Sequence, residues 1–156
     1  MFLLLGLAIT LFIIGFVIQP FLGGDIVNFI NLPSVLMIIL PLAGILTATQ
    51  SFKIFSEGFM AAVLPKKEIS EEVRGQAASL FRFLSKATAF IGLIMVCISW
   101  ISILMGLDFS DSNAIHMMFV NIAASLVPMF YAVILIFAVF EPTVFVLKKR
   151  HEPRRK

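Results

Sequence analysis

Charged side chains are confined to a few stretches of this chain, and the gaps between them fix its fold class. No Asp, Glu, Lys or Arg precedes Asp25, none lies from Ile26 to Phe52, none between Lys86 and Asp108, and none between Asp111 and Glu141. Each gap is at least as long as the roughly 20 apolar residues that cross a hydrocarbon layer about 30 Å thick. Of 156 residues, 60% are hydrophobic and only 13% charged, about half the charged share of a soluble domain. A single core of this length cannot hide so much apolar surface from water. Barrel strands would alternate apolar and polar residues over about 10 positions, and no stretch here alternates in that way. The expected architecture is all-α: a polytopic membrane protein with four transmembrane helices near 2–20, 32–52, 88–107 and 115–140, in one membrane domain covering 1–156.

Orientation follows from the cations. Of the 12 Lys and Arg, six lie from Lys53 to Lys86 and six from Lys148 to Lys156, whereas the two opposite loops hold only Asp25, Asp108 and Asp111. The positive-inside rule places both termini, the 53–86 segment and the basic 148–156 tail in the cytoplasm. The net charge of +3 then reflects topology and lipid head groups, and it implies no nucleic-acid partner. The apolar N-terminus lacks a positive leading region, so it reads as a retained first helix rather than a cleaved signal.

Local signals punctuate the spans. Gln19-Pro20 and Gly23-Gly24-Asp25 mark a tight turn. Asn31-Leu32-Pro33-Ser34 opens the second span, with Pro33 suited to a first helical turn, and Pro41 is placed to kink that helix. Leu64-Pro65-Lys66-Lys67 is a break, followed by Ser70 as N-cap with Glu71 and Glu72 in the first turn. Val73, Ala77, Leu80, Phe81 and Leu84 recur at helical spacing, which predicts a short amphipathic helix running into the third span. Two readings of its apolar face are open: a helix lying at the membrane surface, or a docking site for a soluble partner.

The sequence offers little chemistry. His116 and His151 are far apart, and the single Cys97 lies in mid-span as a small apolar packer. No metal-ligand spacing, phosphate-cradling glycine loop or nucleophile with a nearby base occurs, so no enzyme, metal or cofactor is expected. Glu57, Glu68, Glu71 and Glu72 read as a solvated face. Ionisable groups in a membrane mark functional paths. Here Glu141 comes closest to a span centre, near the cytoplasmic end of the fourth span beside Pro142, and His116 meets head groups at its other end. The uncharged polar groups are richest in the fourth span, where Asn121 and Ser125 are four apart and so share a face. Ala124, Pro128 and Tyr131 adjoin them, and Ser99 and Ser102 add hydroxyls to the third span. This set is either a seam of interhelical hydrogen bonds or a pore-facing polar strip.

These segments resemble a known family. Gly23-Gly24 followed by Asn31-Leu32-Pro33-Ser34-Val35-Leu36 looks like the first-loop and second-helix region of the MotA branch of the MotA/TolQ/ExbB proton-channel superfamily. Gly92-Leu93-Ile94 with Leu104, Leu107 and Asp108 resembles its third helix. Ala123-Ala124, Tyr131 and Phe140-Glu141-Pro142, followed by Lys148-Lys149-Arg150, resemble its fourth. The resemblance covers all four spans in order. It implies a bacterial inner-membrane subunit in a homopentamer, with helices three and four ringing the transmembrane helices of a MotB/TolR/ExbD-like single-span partner. That partner supplies a titratable Asp, and proton or sodium flow drives motion, as in a stator. The chain also departs from the family pattern. Residues 53–86 replace the large insert of flagellar stators, Ala89 stands where a proline is usual, Val96 where a hydroxyl is usual, and Pro128-Met129 where small or hydroxyl residues pair. These departures imply an alternative, a non-conducting structural or assembly protein that retains the fold.

Overall fold

In a computed structural model, residues 31–64, 67–107 and 113–149, together with Gly6 and Ser110, are described. The expected first span at 2–20, its turn, the aspartates of the two loops and the end of the basic tail lie outside the described residues. Among the described residues all regular structure is helical. α1 runs Leu32–Ala48, α2 Phe52–Val63, α3 Glu71–Met105 and α4 Ala114–Lys149.

α3 and α4 are each long and apolar enough to cross a membrane, and α1 with α2 qualifies as a further span only as a pair bent by 115°. Among the described residues the chain is therefore helical, with two or three apolar segments of membrane-crossing length. α3, at 35 residues, is about 52 Å long at 1.5 Å per residue. Its charges all lie in residues 71–86, and the charge-free stretch 87–105 alone covers roughly 28 Å. The first part of α3 is thus a charged stalk, continuous with the apolar part.

The caps explain where helices begin. The Asn31 side chain accepts from the Ser34 N–H at 3.3 Å, with Pro33 in the first turn of α1. Ser70 Oγ accepts from the Val73 N–H at 3.3 Å, with Glu71 and Glu72 behind it. Arg74 pairs with Glu71 at 2.6 Å one turn on. α1 runs through Pro41 and stops short of the expected residue 52. Gln50 has a φ of 52°, its N–H donates to Thr47 O, and the Ser51 N–H donates to Leu46 O. These two bonds form a Schellman closure around a left-handed residue. The polar run Thr47, Thr49, Gln50 and Ser51 thus ends the helix, and the chain turns sharply into α2.

α2 explains the fate of the stalk. A Cβ on Gly58 would lie 2.5 Å from Ala77 Cβ, so the two helices meet almost backbone to backbone. Phe55 and Phe81 pack with ring centroids 5.0 Å apart, and Phe81 and Phe140 at 5.9 Å. Ala77, Phe81 and Leu84 join Leu42, Leu46, Ala61, Val144 and Leu147 in the core. The central part of this apolar face, Ala77, Phe81 and Leu84, is therefore covered by the chain's own helices and is not available to a membrane surface or a soluble partner.

α4 runs antiparallel to α3 but is not uniform. It comprises Ala114–Ser125, Val127–Ile134, a π-helical turn Leu135–Phe140 and Glu141–Lys149. Prolines, which lack an N–H and crowd the carbonyl four residues back, account for both irregularities. Pro128 follows the break at Leu126, and Pro142 follows the π turn. Helix continues past Glu141-Pro142 to Lys149.

Candidate functional site

The buried stripe of α3 steps through Ala77, Phe81, Leu84, Ser85, Thr88, Gly92 and Val96, at the three- and four-residue spacing of one helix face. Gly92 is the point of closest approach to α4, where an added Cβ would lie 2.9 Å from Ala132 Cβ and 3.5 Å from Met129 Cα. Small residues at such crossings let helices pack tightly in lipid.

Above that crossing, one polar contact ties the helices and a second, within α4, orients it. Trp100 Nε1 donates to Ser125 Oγ at 2.8 Å, and Ser125 Oγ donates to Ile122 O at 2.6 Å. Both capacities of this hydroxyl are engaged, and Ser125 is only 6% exposed. Lower down, the Tyr131 hydroxyl accepts from the Asn31 N–H at 3.2 Å, which fixes the start of α1 on α4.

The seven expected strip residues separate into distinct environments. Asn121 and Ser102 border one cavity of about 460 Å³ between the end of α3 and the start of α4, along with Gly106 and Ala114. Asn121 and Ala124 are exposed, as is Ser102, whose Oγ donates to Ile98 O at 2.9 Å. Ser99 and Tyr131 are half-buried, and Pro128 is buried. Asn121 and Ser125, four apart in sequence, therefore do not share surroundings, since Ser125 turns into the α3 contact. Glu141 is exposed at the charged end, where it borders a second cavity with Arg82, Ser85 and Lys86. His116 and Cys97 are exposed.

Sequence reasoning missed Ser85 and Thr88, which are 6% and 0% exposed and whose hydroxyls have no hydrogen-bond partner among the described residues. The signal was available, because Ser85, Thr88, Gly92 and Val96 continue the series of Ala77, Phe81 and Leu84 at helical spacing. Trp100 was missed as well, since nothing in the sequence aims its indole at Ser125. Among the described residues no group of three His, Cys, Asp or Glu side chains is placed to hold a metal. Comparison of the chain with protein-family models, with characterised proteins and with solved structures gave no match.

Proposed function

We propose that this chain is a MotA-like inner-membrane subunit that assembles into an oligomeric ring. In that ring α3 and α4 enclose the transmembrane helices of a partner, and the assembly transduces an ion-motive force. The observation that carries the reading is Asn121, an exposed amide in the charge-free stretch of α4. An amide facing hydrocarbon is costly, and in membrane helices such groups meet another helix or a water-filled path. Ser102 stands beside it in the same cavity. The apolar windows of α3 and α4 have only 17% and 28% of their residues buried, which leaves broad faces for lipid, further copies and a partner. The copy number of five and the single-span partner with its titratable Asp follow the family resemblance.

Ser125 favours a second reading. Its hydroxyl is engaged by Trp100 and by its own backbone, so it serves as a brace rather than a proton relay, as a non-conducting assembly subunit requires. The two readings separate on one experiment: purification in mild detergent from the native host, imaging of the particles and identification of any co-purifying chain. The transducer reading expects a five-membered ring around helices bearing an acid, and proton flux in liposomes that Asn121→Ala lowers at least tenfold. A ring without an acid, or flux indifferent to Asn121→Ala, supports the structural reading. A monomer refutes the transducer reading and leaves the structural one.

A further inference from the structure

One exposed face of α3 changes polarity abruptly. Ser79, Arg82, Lys86, Phe90, Leu93 and Cys97 follow one another at three- and four-residue spacing and all are exposed, so they form a single track. Its first three members are polar or cationic, and the last three are apolar. The switch falls at Lys86, where the charge-free stretch begins. Phe83, beside Arg82, and Phe90 are 51% and 66% exposed and extend the apolar side.

At the polar end lies a cavity of about 530 Å³ bordered by Ser79, Arg82, Phe83, Ser85 and Lys86 of α3 and by Glu141 of α4, within the size range of small-ligand sites. Among the described residues neither Arg82 nor Lys86 forms an ion pair with Glu141 or another carboxylate. Ser85, 94% buried, borders the cavity with a hydroxyl that has spent neither donor nor acceptor. The site thus presents two unspent cations and an unspent hydroxyl above an apolar track.

From this juxtaposition we infer that the groove binds the headgroup phosphodiester of an anionic phospholipid, with its acyl chains lying over Phe83, Phe90 and Leu93. Arg82 and Lys86 contact the phosphate oxygens, and Ser85, whose hydroxyl oxygen is sealed from solvent, rotates into the groove to donate. Glu141 reduces the groove to one net positive charge, which matches a phosphodiester monoanion better than a phosphate dianion. Basic pockets between membrane helices hold anionic head groups by this same electrostatics. The inference rests on the apolar stretch of α3 lying in a membrane and is independent of any ring or partner.

The test is native mass spectrometry of the full chain in mild detergent, titrated with phosphatidylglycerol and with phosphatidylcholine. One tightly held phosphatidylglycerol per copy is expected, with phosphatidylcholine much weaker. The double variant Arg82→Gln/Lys86→Gln should weaken phosphatidylglycerol about thirtyfold, near fivefold for each cation at a membrane surface. Ser85→Ala should weaken it about fivefold. Lys53→Gln/Lys149→Gln, with the same loss of charge elsewhere, should leave affinity unchanged. Equal weakening by the two double variants would mean diffuse attraction and overturn the site. So would displacement of the lipid by millimolar inorganic phosphate, which would mark a free-phosphate site, or by an acidic peptide, which would mark a protein surface. If the cation variant fails to fold, Ser85→Ala decides alone, because its hydroxyl bonds to nothing in the fold; unchanged affinity there refutes the proposal.

Discussion

Ser125 shows how one side chain acquires its role from a neighbour 25 positions away. Its spacing from Asn121 suggests a shared polar strip, but its oxygen is held at 2.8 Å by Trp100 and its proton by Ile122 O. Removing the hydroxyl leaves the indole N–H without its partner. We expect Ser125→Ala to destabilise the α3–α4 pair by about 1 kcal/mol, in the range of interhelical hydrogen bonds in membranes. Trp100 is the single tryptophan, so its fluorescence reports the loss directly, with emission moving to shorter wavelength. Unchanged emission and unchanged thermal unfolding would show that the bond is not held in solution.

The turn between α1 and α2 carries the next scale. A Gln in the left-handed region, as at Gln50 with φ 52°, costs roughly 1 kcal/mol because its Cβ crowds the following carbonyl. Glycine avoids that contact and is the usual residue at this position of a Schellman closure. Gln50→Gly is expected to raise stability by about 0.5–1 kcal/mol, and Gln50→Val to lower it by more, since a β-branched residue fits that region worst. Thermal unfolding followed by circular dichroism in detergent reads both, and a drop for the glycine variant would mean the turn is not closed in this way. The start of α1 and the start of α3 were legible in sequence because caps are local chemistry: Asn31 with Pro33, and Ser70 with Glu71 and Glu72. The stop at Ala48 was not, because the charge-free run continues to Phe52 and hydrophobicity alone does not register a bend. α2 was missed for a related reason. Its Gly58 reads as a helix weakener until it is seen to admit Ala77 at contact distance.

For the whole molecule, the decisive matter is which surfaces meet lipid. Cys97, the single cysteine, is exposed on α3 in its charge-free stretch. In sealed vesicles it should resist a polar, membrane-impermeant maleimide and react fully once the protein is dissolved in dodecyl sulfate. Rapid labelling in intact vesicles would mean that this face lines water, and would contradict the acyl-chain track over Phe90 and Leu93. The stalk presents the opposite case. Its apolar series at 73–84 has the pattern of a surface-seeking helix, yet its central members are sealed beneath α2 and the end of α4.

What the sequence determined by itself is that the chain is helical with apolar stretches long enough to cross a membrane, where charged and apolar stretches alternate, and where α1 and α3 begin. Those are properties of composition and of neighbours within one helical turn, and they need no knowledge of what packs against what. The tertiary structure alone decided that α2 covers the stalk, that Ser125 is bonded to Trp100, that Tyr131 holds the start of α1, and that, among the described residues, Ser85 keeps an unspent hydroxyl beside two cations that pair with no carboxylate. Each of these depends on side chains far apart in the chain, as Asn31 and Tyr131 are at 100 positions. In an apolar environment a polar group is costly unless packing brings it a partner, so the packing assigns the roles.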